Sequence, residues 1–278
     1  MKKTHYAITV RTGLHFSRAA MVELARGKSW TSHKAHSWSF DAGRDCLSLM
    51  IRVQTAAIGK RMMKILHLIC SPRGQASESY RLSQKILGYL LDREPTATVI
   101  VRPIGGAVAN LDESYATALG GTERSFAELL AEGSMSRSED LIQELESADF
   151  VVIATPMHNF TVPVALKAWI DHVVRVRRTF SVTAQGKLGA LRDRPVFVAV
   201  SSGGRFSGER THQPDFLTPY LKAILGTIGL HDLTFFSVEG SALGPDAVAA
   251  ARTKADQDMQ EFFLDFARNS AVAFEEAV

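Results

Sequence analysis

From Lys64 onward, short apolar stretches alternate with segments in which apolar residues recur at helical spacing. Strands are predicted at Lys64–Ile69, Val99–Ile104, Phe150–Thr155, Pro195–Ser201 and Leu233–Val238. Helices are predicted at Ser79–Leu91, Thr122–Ala131, Ser138–Ala148 (with Ser138 as N-cap), Val164–Val174, Phe216–Ile228 and Asp246–Ala267, and a hairpin at Phe180–Leu191. Because strands separated by helices pair in parallel through crossovers, this pattern predicts an α/β fold: a doubly wound, five-stranded parallel sheet with helices on both faces.

The chain is expected to divide near residue 62. Residues 1–62 contain 11 Lys and Arg against 3 Asp and Glu, whereas the remaining residues contain 21 against 26. The first segment lacks a sustained period and the apolar region of a secretory signal. The pair Met62-Met63 stands directly before the first predicted strand. We therefore expect residues 1–62 to be a disordered extension or the result of a start site placed too early, and residues 63–278 to form the working domain.

Composition argues against several classes of protein. The net charge of +3 combines +8 in residues 1–62 with −5 in the rest, and the basic residues are dispersed, so no nucleic-acid partner is expected. No stretch approaches the roughly 18 consecutive apolar residues of a membrane helix, so no membrane partner is expected. The only cysteines, Cys46 and Cys70, are far apart, which argues against a disulfide scaffold or a zinc site and favours the cytoplasm. No His, Asp or Glu group has metal-ligand spacing.

In a doubly wound sheet, ligands bind at the carboxyl ends of the strands, where the strand order reverses. The loop after the first strand places Ser71, Ser77, Glu78 and Ser79 between the strand end and the helix start. Hydroxyl groups, free backbone N–H groups and the positive end of a helix together form a phosphate cradle. The loop has no Walker lysine, which favours a phosphate monoester. A plain helix-capping role for Ser77 or Ser79 is the alternative, and this loop alone does not decide between them.

The loop after the third strand, Pro156-Met157-His158-Asn159-Phe160, is rigid and partly apolar, which suits the face and edge of a flat ring system. An ordinary strand-to-helix connection ending at Pro163 is the alternative. The loop after the fourth strand, Ser201-Ser202-Gly203-Gly204, contains paired glycines that let a ligand approach the backbone closely. A glycine turn is the alternative there.

The run Pro156–Phe160 resembles the PMYNF signature of the FMN-dependent NADH azoreductase and quinone reductase family. Further matches are Leu166-Lys167, Asp171, Thr179-Phe180, Leu217–Leu221, Gly226, Gly229, Glu239-Gly240 and Gly244-Pro245. The resemblance covers about Met63 to Phe263. It implies a flavodoxin-like fold with strand order 2-1-3-4-5.

The resemblance also implies a function. Ser71 and the turn Ser77–Ser79 would hold the phosphate of a tightly but non-covalently bound FMN, Met157–Phe160 would line its isoalloxazine ring, and Ser201–Gly204 would close over the other edge. NADH or NADPH would reduce the flavin in a ping-pong cycle, and a quinone or azo compound would then accept two electrons. Members are homodimers with active sites at the interface. The flavin carries the chemistry, so no catalytic side chain is expected.

Several residues depart from the family pattern. His158 replaces a tyrosine, Arg177 a glycine, and Glu78 a neutral residue whose backbone N–H we expect to serve the phosphate while the side chain points outward. Ser202 and Thr227 differ from residues found in some members, and Arg205–Pro214 is longer than in close relatives. These departures leave the acceptor open, nitro compounds and chromate included. A flavodoxin-type redox sensor or electron carrier that binds FMN without turnover is the alternative function.

Overall fold

The computed structural model describes residues 7–9, 15–17, 62–106, 111–120 and 133–275. The chain divides into two compact units, Met1–Arg61 and Met62–Val278. In the first unit, strands β1 (Ala7–Thr9) and β2 (His15–Ser17) pair antiparallel. The predicted helix at Thr122–Ala131 lies outside the described residues.

The second unit is built around a five-stranded parallel sheet. Its strands are β3 (Lys64–Ile69), β4 (Thr98–Pro103), β5 (Phe150–Pro156), β8 (Val196–Ser201) and β9 (Leu233–Val238). They lie side by side in the order β4-β3-β5-β8-β9. Counted along the chain, this is 2-1-3-4-5, so the predicted α/β fold and strand order are confirmed. A separate hairpin, β6 (Phe180–Thr183) and β7 (Gly186–Gly189), lies within the predicted Phe180–Leu191 segment.

Six α-helices are described in this unit: α1 (Glu78–Arg93), α2 (Glu113–Gly120), α3 (Gly133–Ser147), α4 (Val164–Val173), α5 (Thr218–Thr227) and α6 (Pro245–Glu275). Helix α2 was not predicted, and α3 begins five residues before the predicted Ser138. The prediction that Ser138 is an N-cap is wrong. Its side chain is fully buried within α3 and donates a hydrogen bond to the carbonyl of His172 (2.6 Å). Ser138 therefore joins α3 to α4 and does not cap α3.

Side chains alternate along each strand and fill two cores, one on each face of the sheet. Leu66, Leu68, Ile153 and Val198 pack with α3, α4 and α5 on one face. On the other face α1 and α6 cover a core that contains Ile65, Val152, Phe197 and Ala199. These strand residues are all almost completely buried, which is why the predicted strands are apolar on both faces. No helix among the described residues combines the length and apolarity needed to cross a bilayer.

The placement of helices on opposite faces creates the site. After β3 the chain enters α1 on one face, and after β5 it enters α4 on the other. Since β3 and β5 are neighbours in the sheet, the loops that follow them run to opposite faces. A crevice remains between these loops at the carboxyl ends of the strands.

Candidate functional site

A cavity of about 530 Å³ lies in this crevice. Its volume falls within the roughly 300–1,000 Å³ of small-molecule sites. The loops after β3, β5, β8 and β9 line it together with the first two turns of α6. We call the part formed by Ser71–Glu78 the α1 side, and the part formed by Pro156–His158 and Ser201–Gly203 the β5–β8 side.

The structure brings most of the predicted site residues together. The cavity is lined by Ser71, Ser77, Glu78, Pro156, Met157, His158, Ser201, Ser202 and Gly203. The other four predicted residues, Ser79, Asn159, Phe160 and Gly204, do not line it. Pro72, Arg73, Ser241, Pro245, Val248 and Arg252 line it without having been predicted.

On the α1 side, Ser77 is the N-cap of α1. Its Oγ accepts a hydrogen bond from the backbone N–H of Tyr80 (3.2 Å) and lies 2.8 Å from the carbonyl oxygen of Gly74, to which it donates. The two interpretations of this loop are therefore compatible, because Ser77 caps the helix and also lines the cavity. Ser79 is fully buried, and its Oγ lies 3.3 Å from that of Ser77, within hydrogen-bond distance.

A close backbone contact with the loop after the neighbouring strand β4 fixes the position of Ser71. A Cβ atom added to Gly105, in the loop after β4, would lie only 2.4 Å from the carbonyl oxygen of Ser71. Only glycine allows this approach. The Ser71 hydroxyl accepts a hydrogen bond from the backbone N–H of Arg73 (3.2 Å), which keeps the start of the loop compact.

The Glu78 carboxylate is paired with two guanidinium groups. It accepts hydrogen bonds from Arg81 Nε (3.1 Å), from Arg252 Nε (3.0 Å) and from Arg252 Nη2. The hydrogen bonds from Arg252 are the main reason why the pKa of Glu78 is below its usual value, with Arg81 acting in the same direction. The carboxylate is thus ionised and neutralised next to the α1 N-terminus.

On the β5–β8 side, Met157 is buried and its backbone N–H donates to the carbonyl of Ser201 (2.8 Å). The next residues form a tight turn, in which His158 and Thr161 exchange two backbone hydrogen bonds. Its central residues, Asn159 and Phe160, have φ values of 48° and 69°, a conformation that is strained for a bulky residue such as Phe160. Met157 and His158, before and at the start of the turn, line the cavity, whereas Asn159 and Phe160 do not.

Gln213 contacts two side chains of the cavity lining, which the sequence did not reveal. It comes from the long loop after β8, and its Nε2 lies 2.9 Å from Ser202 Oγ and 3.1 Å from Met157 Sδ. A Cβ atom on Gly204 would lie 2.2 Å from Gln213 Oε1. Gly204 thus makes room for a side chain of the protein, whereas Gly203 faces the cavity.

The structure shows the surroundings of two departures from the family pattern. Arg177 has a φ of 64°, the left-handed conformation in which glycine is favoured. Thr227 lies at the end of α5 and its hydroxyl donates to the carbonyl of Ala223 (3.0 Å); no residue of α5 lines the cavity.

Other reactive side chains lie apart from the cavity. Asp171 pairs with Lys167, while the buried His172 donates from Nδ1 to the carbonyl of Ala168 (2.8 Å), so these neighbours do not form a dyad. Cys70 is buried, which raises the pKa of its thiol. In the described ranges, His, Cys, Asp and Glu side chains form no group of three that could hold a metal ion.

A spacing signal could have identified the contribution of α6. Pro245, Val248 and Arg252 follow one another at intervals of three and four residues, which places them on one face of a helix. All three line the cavity. No comparable periodicity marks Gln213, because its position depends on how the loop folds back.

Comparison with known proteins gives consistent matches. Residues 63–263 match the family described as having a flavodoxin-like fold. The chain is 47% identical over 195 residues to FMN-dependent NADH:quinone oxidoreductase 4 of Pseudomonas fluorescens, covering 70% of this chain and 92% of the relative. It is 42% identical over 192 residues to FMN-dependent NADH:quinone oxidoreductase 5 of Burkholderia lata, covering 69% and 92%.

Solved structures share the fold. An azoreductase from Bacillus anthracis matches with a TM-score of 0.59 at 20% identity, over 70% of this chain and 98% of that one. An FMN-dependent NADH-azoreductase from Bacillus anthracis, in complex with FMN, matches with a TM-score of 0.58 at 22% identity, over 72% and 99%. From the match over residues 63–263 and these sequence identities, the chain belongs to the flavodoxin-like family of FMN-dependent NADH:quinone oxidoreductases.

Proposed function

We propose that this protein is an FMN-dependent oxidoreductase that takes electrons from NADH and reduces quinones, and the azo bonds of aromatic azo compounds, in a ping-pong cycle. The observation that carries the proposal is the cavity at the carboxyl ends of β3, β5 and β8. It lies in a chain that is 47% identical to an FMN-dependent NADH:quinone oxidoreductase.

The residues present fit FMN. The α1 side offers the N-terminus of α1, the hydroxyls of Ser71 and Ser77 and the guanidinium group of Arg73, and the guanidinium group of Arg252 on α6 lies next to it. Helix N-termini, hydroxyls and arginines are the groups that bind phosphate esters. The β5–β8 side offers Met157 as an apolar surface and backbone polar groups, which suit the face and edge of a flat ring.

When bound, FMN supplies the two-electron chemistry, first as hydride acceptor from NADH and then as donor to the quinone. The protein residues bind and orient it. Ser71, Ser77 and the backbone N–H groups at Glu78 and Ser79 would hold the phosphate. Pro156, Met157 and His158 would support the ring from one loop, with Ser201, Ser202 and Gly203 at its other edge.

We also propose a homodimer with active sites at the subunit interface. Phe160 and Phe216 support it: they are joined by a hydrogen bond from the backbone N–H of Phe216 to the carbonyl of Phe160 (3.0 Å), yet their side chains are 43% and 59% exposed. Exposed apolar side chains beside a site often mark an interface. Sedimentation should give twice the mass of the chain. We further propose that the enzyme works in the cytoplasm, which the buried free thiol of Cys70 supports.

The test is to purify the full chain and identify its flavin. We expect a yellow protein that releases FMN on denaturation and loses its flavin absorbance within seconds when NADH is added without oxygen. Varying NADH at several benzoquinone concentrations should give parallel double-reciprocal lines, as a ping-pong cycle requires. An azo dye should replace the quinone.

Each part of the proposal has its own contradicting result. Protein without FMN would refute a flavoenzyme. Intersecting lines would refute the ping-pong order, and an unreduced dye would remove azo compounds from the substrates. FMN that NADH reduces only over minutes, without quinone turnover, would favour a non-catalytic electron carrier.

A further inference from the structure

We propose that Arg252 on α6 binds the flavin phosphate directly, and that Glu78 positions its guanidinium for this contact. The proposal rests on the proposed function, because it concerns the phosphate end of the same cavity. It assigns a binding role to a helix that follows the last strand, far in sequence from the loop after β3.

Arg252 is held at the cavity wall by a two-point contact. Its Nε and Nη2 both donate to the carboxylate of Glu78, and both residues line the cavity. Glu78 is the first residue of α1, so the pair places Arg252 next to the N-terminus of that helix.

This contact leaves a second edge of the guanidinium available. An arginine has five N–H donors in a planar fork, and Glu78 uses the Nε edge. Nη1 makes no hydrogen bond to the part of the chain that the structure describes. Nη1 and the remaining N–H of Nη2 form the kind of paired donor that binds two oxygens of a phosphate.

The charges at this end match a phosphate monoester. Arg73, Arg81 and Arg252 against Glu78 give a formal charge of +2 around the N-terminus of α1. A phosphate monoester carries a charge of about −1.5 to −2 at pH 7. Without Arg252 the same group would carry +1, with the Glu78 carboxylate directly beside the phosphate. Arg252 therefore accounts for how this chain tolerates a carboxylate at position 78.

The test compares FMN with riboflavin, which lacks the phosphate. The flavin is removed from the full-length protein, and both dissociation constants are measured by flavin fluorescence. Arg252→Ala should weaken FMN binding by about 10- to 100-fold, as expected for hydrogen bonds to a charged group. Riboflavin binding should stay within about twofold of the wild-type value. Arg252→Lys keeps the charge and loses the planar fork of donors, so its affinity for FMN should lie between those of the wild type and Arg252→Ala.

Arg81→Ala is the matched control. Arg81 pairs with the same carboxylate but does not line the cavity, so its loss should change the preference for FMN by less than about threefold. Arg252 is 42% exposed, and circular dichroism should show that the variants remain folded. An unchanged FMN preference in Arg252→Ala, or an equal loss in Arg81→Ala, would overturn the inference while leaving the flavoenzyme in place. A wild-type protein that binds neither flavin would overturn both.

Discussion

The position of Ser71 depends on Gly105, a residue that does not line the cavity. Gly105, from the loop after β4, packs against the Ser71 carbonyl so closely that a side chain cannot fit between them. The contact is with backbone atoms, which cannot rotate away as a flexible side chain would. The position of Ser71 is therefore set partly by the neighbouring strand connection.

Gly105→Ala should displace the Ser71 loop. We expect a loss of about 1–3 kcal/mol in the free energy of unfolding, the usual range for overpacking, together with weaker FMN binding. Urea denaturation and flavin titration measure the two effects. At the adjacent Gly106, no atom of the described residues lies within 4 Å of an added Cβ, so Gly106→Ala is the control and should change stability by less than about 0.5 kcal/mol. Equal effects of the two substitutions would contradict this explanation.

The role of a residue can be predicted from the sequence when its partners are neighbours in the chain, and not when they are distant. Ser77 could be assigned to the site because strand end, hydroxyl and helix start are adjacent in the chain. Ser138 was misassigned because a serine near a helix start suggests a cap, whereas its partner, the carbonyl of His172, lies 34 residues away. Gln213 contacts cavity residues only because its loop folds back, which has no local signature, whereas the spacing of Pro245, Val248 and Arg252 does mark one face of α6.

At the level of elements, α3 is attached to the segment after α4 by a partly buried ionic cluster. Glu139 on α3 pairs with Arg175 and Arg178, and Arg178 also pairs with Glu146. The Arg175 side chain is only 1% exposed. Burial alone would raise the pKa of Glu139, but hydrogen bonds from Arg178 and Arg175 lower it to about 2.

Glu139→Gln should destabilise the protein by about 2–3 kcal/mol at pH 7, because it leaves the charge of Arg175 buried with less compensation. The effect should depend on pH in a defined direction. A carboxylate whose folded pKa is lowered stabilises the fold above its unfolded pKa of about 4.5 and loses this contribution as the pH falls towards 2. Urea denaturation at pH 7, 4 and 3 should therefore show the difference between wild type and variant shrinking with acidity.

An exposed ion pair provides the control for this prediction. Lys254 and Asp258 pair one helical turn apart on α6, with side chains 74% and 50% exposed. Lys254→Ala should cost less than about 0.5 kcal/mol. A loss from Glu139→Gln no larger than this, or one that persists unchanged at pH 3, would show that the cluster does not stabilise the α3 contact.

The strands were the elements most fully determined by the sequence. All five were located to within one residue, because burial on both faces leaves a continuous apolar stretch. Helix α2 was missed because it spans only eight residues and gives a weak amphipathic pattern. The end of α6 was placed too early, at Ala267 rather than Glu275, because no capping or breaking residue marks the end of that helix.

At the level of the whole molecule, the site is built within the second unit. Among the described residues, those that line the cavity all lie between Ser71 and Arg252, and those of both cores lie within Met62–Val278. The family match covers residues 63–263. Residues 1–62 therefore have no described part in the site, and we propose that they are not needed for folding or flavin binding.

A chain that begins at Met63 should fold and bind FMN as the full chain does. We expect a melting temperature within about 3 °C of the full-length value and the same NADH:quinone activity, measured by calorimetry and steady-state assay. A second chain that begins at Leu66 is the control, since it removes residues of β3 that pair with β4 and β5 and should not fold. Loss of flavin in the chain from Met63 would assign residues 1–62 a role in the enzyme.

The loop after β8 bears on how such a protein can change over generations. Near its start, Glu239 accepts hydrogen bonds from the backbone N–H groups of Phe206 and Ser207, and near its end Gln213 contacts Ser202 and Met157. The residues between Ser207 and Gln213 are mostly exposed. We expect insertions and deletions there to leave the sheet and the α1 side intact while changing the surroundings of Met157. We propose that length variation in this one surface segment changes which acceptors such a protein accommodates, and that laboratory evolution of new acceptors can begin there.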